Sequence, residues 1–95
     1  MRIISLKRIK EFIDRHADSK ASLLAWHDTM KAGVWNNFAQ LRTTFSSADI
    51  VGRRTVFHVA NNKYRLIARV NYESRKVFVL HILTHKNYDK MDWNK

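Results

Sequence analysis

Apolar and polar residues alternate through residues 55–88, and the alternation predicts three antiparallel strands with a charged exit. Between Val59 and Tyr64 lies Asn61-Asn62, and asparagine is one of the few residues that tolerates the positive φ of a two-residue hairpin turn. Counting outward from that turn pairs Val59 with Tyr64, Phe57 with Leu66 and Thr55 with Ala68 on one face. His58 with Arg65, Val56 with Ile67 and Arg54 with Arg69 fall on the other. One face is therefore apolar and the other basic. Glu73-Ser74-Arg75 marks a second turn, and residues 76–84 form a strand apolar on both faces, as a central strand should be.

Upstream, residues 2–6 are rich in isoleucine and predict a first strand added to the edge of this sheet. From Lys7 the period becomes helical, with Ile9, Phe12, Ile13 and His16 on one side. Asp18 or Ser19 is placed to cap a second helix whose stripe is Leu23, Trp26, Met30 and Val34, with Gly33 at its exit. Each helix has one apolar stripe, so the pair is expected to cover the Phe57, Leu66 and Val70 face of the sheet. Residues 36–45 read as a short third helix, with Phe38, Leu41 and Phe45 at helical intervals and Asn36 or Asn37 as its cap. Residues 46–52 read as a loop, and residues 85–95, with Tyr88, Met91 and Trp93, as a polar tail able to form a short helix.

Composition narrows this picture. A chain of 95 residues, 45% hydrophobic, has room for one domain over residues 1–95 with a real core. It contains no cysteine, which removes disulfides and thiolate metal sites and suits a reducing cytoplasm. Charges interrupt the first twelve residues too often for a signal peptide, and no run has the length of a membrane span. A formal net charge of +10 makes nucleic acid the first partner to consider, with an acidic protein as the other.

The chemistry concentrates on the basic face. Arg54, His58, Arg65 and Arg69 cluster there by register, with Lys63 near the turn, and no carboxylate interrupts the face within the first hairpin. Arginine forks held on rigid strands suit phosphate and can stabilise charge on a phosphorane, although exposed charges often serve solubility alone. His85, Lys86, Tyr88 and Lys90 follow the last strand, where the chain can fold back over this face. A histidine there could move a proton and a tyrosine could stack on a base; equally, His85 could cap a helix and Tyr88 cover a sheet edge. A two-residue turn at Glu73-Ser74 would pair His81 with Leu66, making it a core histidine under the helices. His16 and His27 lie in the helices and read as structural. The histidines lack ligand spacing, and neither a glycine-rich phosphate loop nor a nucleophile elbow is present. No metal or cofactor is expected. What remains is metal-independent attack on RNA, in which the ribose 2′-hydroxyl supplies the nucleophile.

The run Lys63-Tyr64-Arg65-Leu66-Ile67, the strand that starts at Val77, and Thr84-His85-Lys86-Asn87-Tyr88-Asp89-Lys90 together resemble the HigB group of RelE-type toxins. The order of elements agrees along nearly the whole chain. The resemblance implies an α+β, RelE-like fold: a small antiparallel sheet, two N-terminal helices packed on one face, and a basic open face. It implies an mRNA interferase that cleaves messages in the ribosomal A site and is silenced by a HigA-like helix-turn-helix antitoxin, operator DNA being bound only through that antitoxin. By position, Arg65 matches the strand arginine that relatives use on the cleaved phosphate. His58 falls where RelE has a catalytic lysine, and His85 and Tyr88 resemble a histidine and a tyrosine near the end of several family active sites. Arg54, Lys63, Arg69, Lys86 and Lys90 would then contact RNA. The chain departs from RelE after its last strand, where His85-Lys86-Asn87 replaces an arginine-rich turn. A non-catalytic RNA-binding or regulatory module is the alternative reading.

Overall fold

The computed structural model describes residues 1–90. Strand β1 (Arg2–Ile4) leads into helix α1 (Leu6–Arg15), a single 3₁₀ turn (Ala17–Ser19) and helix α2 (Lys20–Ala32). Helix α3 (Phe38–Thr44) follows, then β2 (Asp49–Val51), β3 (Arg54–Val59), β4 (Tyr64–Asn71), β5 (Lys76–Thr84) and helix α4 (His85–Asp89). The five strands form one sheet in the order β1-β5-β4-β3-β2. The expected α+β architecture is present.

The first hairpin has the register counted from its turn: Thr55 faces Ala68, Phe57 faces Leu66, His58 faces Arg65 and Val59 faces Tyr64. Asn61 and Asn62 sit at φ 54° and 68°, and the Lys63 N–H donates to the Ala60 carbonyl at 3.1 Å. With Ala60 at φ 54° as well, three successive left-handed residues shape the turn, and the two central asparagines twist it in the sense the strands already have, which is why the register is held so locally.

Beneath the sheet, α1 and α2 place Ile9, Phe12, Leu23, Trp26 and Met30 against Phe57, Leu66, Ala68, Val77 and Val79 in one continuous apolar cluster. Phe57 is its hub. Trp26 and Phe45 approach its ring edge-on, with centroids 5.4 Å and 5.1 Å away. Helix α3 is capped as expected, the Asn37 side chain accepting from the Gln40 N–H at 2.9 Å. At the other end of α2, the α-amino group of Met1 donates to the carbonyls of Met30, Lys31 and Gly33.

Several expectations change. The sheet is mixed, because β1 runs parallel to β5 with Arg2 opposite Lys76. The segment 46–52 is more than a loop: Asp49–Val51 pairs with β3 as a short edge strand. Val34 lies past the end of α2 and is 54% exposed, so the α2 stripe stops at Met30. Neither proposed cap of α2 acts as one, since the Ser19 hydroxyl donates back to the His16 carbonyl and Asp18 turns toward β4. Gly33 does mark the exit, but its φ is −92°; it is glycine because a Cβ there would sit 2.2 Å from the Trp35 ring.

The largest change is in β5. Ile67 faces His81 while Ala68 faces Val79, so Leu80 is an extra residue in a bulge. A bulge exchanges the faces of everything beyond it. His81 therefore stands opposite Ile67 on the open face rather than opposite Leu66 under the helices, and Ile82 takes the core position. The tail is helical over His85–Asp89, whereas Met91 and Trp93 lie outside the described residues. Among the described residues, no helix is long and apolar enough to cross a membrane.

Candidate functional site

The open face acquires a second small apolar cluster that explains how its polar groups are held. Val56 and Ile67 are fully buried there although no helix from the N-terminal half covers them. Val51, Leu83 and Tyr88 pack on the pair, so α4 folds back over this face and Tyr88 is the plug. Thr84 caps α4, its hydroxyl accepting from the Asn87 N–H at 3.3 Å. His85 is thereby not a cap, and its ring is directed to the end of the sheet.

There it meets Arg65, which is only 8% exposed. The Arg65 Nη1 donates to the carbonyl of Asn62 at 2.8 Å and to that of Tyr64 at 3.3 Å, while Nη2 lies 3.1 Å from His85 Nε2. The guanidinium carbon stands 5.7 Å from the centre of the Tyr88 ring, a cation–π distance. His85 Nε2 also contacts the Asn62 carbonyl. Three of the four expected catalytic residues thus form one cluster.

His58, facing Arg65 across the ladder, completes the group. Its Nδ1 is 3.2 Å from Asn62 Oδ1 and its Nε2 is 3.3 Å from Asp49 Oδ2. Asp49 comes from the edge strand β2, whose residue opposite is Val56. The basic face therefore carries a carboxylate after all, delivered by a strand outside the hairpin. The register alone could not show it, because Asp49 reaches the face only once β2 has paired.

The expected RNA contacts separate into two groups. Arg69 and Lys86 are exposed, as is Lys90, and Arg54 is half-buried beside Thr55 on the open face. Arg69 also borders an open hollow with Asn36, Tyr72 and Arg75. Lys63 instead points toward the 3₁₀ turn, where its Nζ lies 3.3 Å from Asp18. The Tyr64 hydroxyl donates to the same carboxylate at 2.8 Å. That hydroxyl, helped by Lys63 and opposed by partial desolvation, holds the Asp18 carboxyl below its ordinary range, and Asp18 raises Tyr64 in turn.

His81 is the histidine that face assignment by simple alternation misplaces. Partial burial, then the charges of Arg8 and Arg54, hold its pKa below the ordinary imidazole value. Asn62 was legible only as a turn residue. Nothing in its spacing shows that its carbonyl and side chain reach three charged or titratable neighbours. Among the described residues, no group of three or more His, Cys, Asp or Glu could hold a metal ion.

Comparison with known proteins identifies the family. The family model of the HigB toxin, described as the RelE-like toxic component of a toxin-antitoxin system, matches residues 19–91. The chain is 30% identical over 92 residues to the mRNA interferase toxin HigB of Escherichia coli (strain K12), covering 94% of this chain and 88% of that relative. The mRNA interferase HigB of Shigella flexneri is similar to the same extent, 30% over 92 residues with the same shares covered. With a family match over most of its length and relatives aligned almost end to end, the chain belongs to the HigB toxins, RelE-like toxic components of toxin-antitoxin systems.

Proposed function

We propose that this chain is an mRNA endoribonuclease that inhibits translation, cutting messages in the ribosomal A site without a metal ion. The observation that carries the reading is the cluster at the end of the open face. A nearly buried arginine is fixed between a histidine from α4, a histidine across the ladder and a tyrosine ring. The names of its relatives, mRNA interferases, describe the same reaction class.

In this mechanism Arg65 binds the scissile phosphate, using a guanidinium whose rotamer is already set by two backbone carbonyls. One histidine takes the proton from the ribose 2′-oxygen as that oxygen bonds to phosphorus. The other gives a proton to the 5′-oxygen as its bond to phosphorus breaks, leaving a 2′,3′-cyclic phosphate and a 5′-hydroxyl. His58 and His85 share these roles, and Tyr88 orients the nucleotide or the 2′-hydroxyl. Positioning and charge stabilisation supply most of the acceleration. Arg54, Arg69, Lys86 and Lys90 guide the backbone on either side. Lys63, drawn to Asp18, would contact RNA only by exchanging that partner.

The family supplies an antitoxin partner for the chain. We take that partner to be a HigA-like helix-turn-helix protein, through which the pair reaches operator DNA, and place the toxin in the cytoplasm with the ribosome.

The test is incubation of end-labelled message with the purified protein, with and without translating ribosomes, beside Arg65→Ala. Cleavage that needs ribosomes and is lost in the variant is the expected result. Cutting of free RNA would retain the nuclease and discard the A-site restriction, and intact message in both samples would leave a binding module.

A further inference from the structure

Four expected catalytic side chains reach the end of the open face from two strands and a helix, and three of them touch one residue that is none of these. Asn62 presents its side-chain Oδ1 to His58 Nδ1 at 3.2 Å, and its backbone carbonyl to Arg65 Nη1 at 2.8 Å and to His85 Nε2. It can do both because it is left-handed, at φ 68° as the second central residue of the turn. In that conformation the carbonyl turns back over the strand ends while the side chain projects across β3. A two-residue turn that needed only asparagine's conformational tolerance would make no such contacts.

The hydrogen-bond roles at His85 give the carbonyl a specific task. Its Nε2 lies between a donor, Arg65 Nη2 at 3.1 Å, and an acceptor, the Asn62 carbonyl. A ring nitrogen carrying a proton can satisfy the carbonyl; one carrying a lone pair can satisfy only the arginine. The arginine favours a lone pair on Nε2 and the carbonyl, the nearer of the two partners, favours a proton there, beside the guanidinium that is to hold the phosphate. At His58 the side chain acts similarly. Asp49 accepts from Nε2–H, so the Asn62 amide meets the other nitrogen and can turn to match it, oxygen toward Nδ1–H or NH₂ toward a lone pair.

We infer that Asn62 is the positioning residue of this site, its carbonyl holding a proton on His85 Nε2 and its amide following the state of His58. This rests on the cleavage reading above but has a readout of its own.

The two roles separate by mutation. Asn62→Gly keeps the left-handed turn, and so the carbonyl, but removes the amide. Asn62→Val disfavours the left-handed conformation and moves the carbonyl as well. Asn62→Asp retains the turn and an acceptor but cannot turn a donor toward His58. In ribosome-dependent cleavage, Asn62→Gly is expected to lower kcat by about ten- to a hundredfold with KM little changed, and Asn62→Val by about tenfold more. Asn62→Asp should rescue part of the glycine loss where His58 is protonated and none where it is neutral.

The independent readout is ring-nitrogen NMR of His58 and His85 in the free protein. Asn62→Gly should change the His58 signals and leave His85 with its proton on Nε2, and Asn62→Val should change both. If Asn62→Gly alters neither kcat nor the His58 ring, or if His85 carries its proton only on Nδ1 in the wild type, the inference is overturned. A wild type that shows the expected ring states yet cuts no message would overturn the cleavage reading while leaving the proton placement standing. Should Asn62→Val fail to fold, the glycine variant and the wild-type His85 tautomer still decide the matter.

Discussion

Arg65 shows how much one position can be made to do. The residue is 8% exposed, yet its hydrogen bonds to the Asn62 and Tyr64 carbonyls answer the charge with oxygens rather than with a carboxylate. A carboxylate partner would neutralise the group; carbonyl partners leave a net positive charge facing His85 and the site. We expect Arg65→Ala to lower cleavage by about a hundredfold or more, as loss of a preorganised charge-stabilising donor does. Growth toxicity should be lost with an unchanged circular dichroism spectrum, and unchanged toxicity would remove Arg65 from the mechanism. At this scale the sequence is informative about which residues come together. Arg65, His58, His85 and Tyr88 were all nameable from register and resemblance, whereas Asp49 and Asn62 were not. A loop aspartate and a turn asparagine are common, and only the packing of β2 and the left-handed carbonyl give them partners.

Among the elements, the helix ends and the hairpin tip hold the layers together. Gly33 has an ordinary φ of −92°, so replacing it with alanine would by itself reduce unfolded-chain entropy and stabilise slightly. The Cβ would lie 2.2 Å and 2.5 Å from two atoms of the Trp35 ring, a clash that requires the indole to move. Overpacking should win, with Gly33→Ala destabilising by about 1–3 kcal/mol in thermal or urea unfolding. In a Trp35→Ala background the same change should become neutral or favourable, and a cost that persists there would refute the steric account.

The hairpin tip is tied to the 3₁₀ turn through Asp18, Tyr64 and Lys63. Because the folded Asp18 carboxyl titrates below its ordinary 3.8, its contribution is complete above that pH and is lost as pH falls through the lower folded value. Asp18→Asn should therefore lower stability at neutral pH and flatten its decline as pH falls below 3.8. Identical acid limbs in urea titrations of variant and wild type would exclude the tie. Sequence patterning located α1, α2, α3 and both turns, because each has a local period or a turn residue. It missed β2, a strand of three residues that owes its existence to the edge of β3 rather than to its own composition.

Over the whole molecule, carboxylates are kept off the three central strands of the sheet. The net +10 is large, and β3, β4 and β5 contain no Asp or Glu at all. Among the described residues, Glu11, Asp14, Asp18 and Asp28 lie in the helical layer, Glu73 in the β4–β5 turn and Asp89 at the end of α4, and Asp49 is the carboxylate that reaches His58. The open face should bind single-stranded RNA with a steep salt dependence, log affinity falling by about 0.7 per phosphate neutralised for each unit of log salt. With a 2′-O-methyl RNA that cannot be cut, Arg69→Ala should reduce that slope by about 0.7 while Lys63→Ala, whose partner is Asp18, changes it less. Equal effects of the two in fluorescence anisotropy would mean that the pairing of Lys63 with Asp18 does not govern binding.

What the sequence determined by itself was everything that depends on neighbours along the chain. A turn of two left-handed asparagines sets the register of β3 and β4, a period of two places His58 and Arg65 together, and a helical period marks the stripes of α1 and α2. Tertiary structure decided what depends on neighbours across it. The bulge at Leu80 moves His81 to the open face, because an extra residue is accommodated where cross-strand packing of Val79 and Ile82 requires it. β2 carries Asp49 to His58, and Tyr88 joins Val51 and Leu83 in covering Val56 and Ile67, which brings α4 over that buried pair. The polar cluster of the site is assembled in that last step, from elements that are far apart in the chain and acquire their roles only in contact.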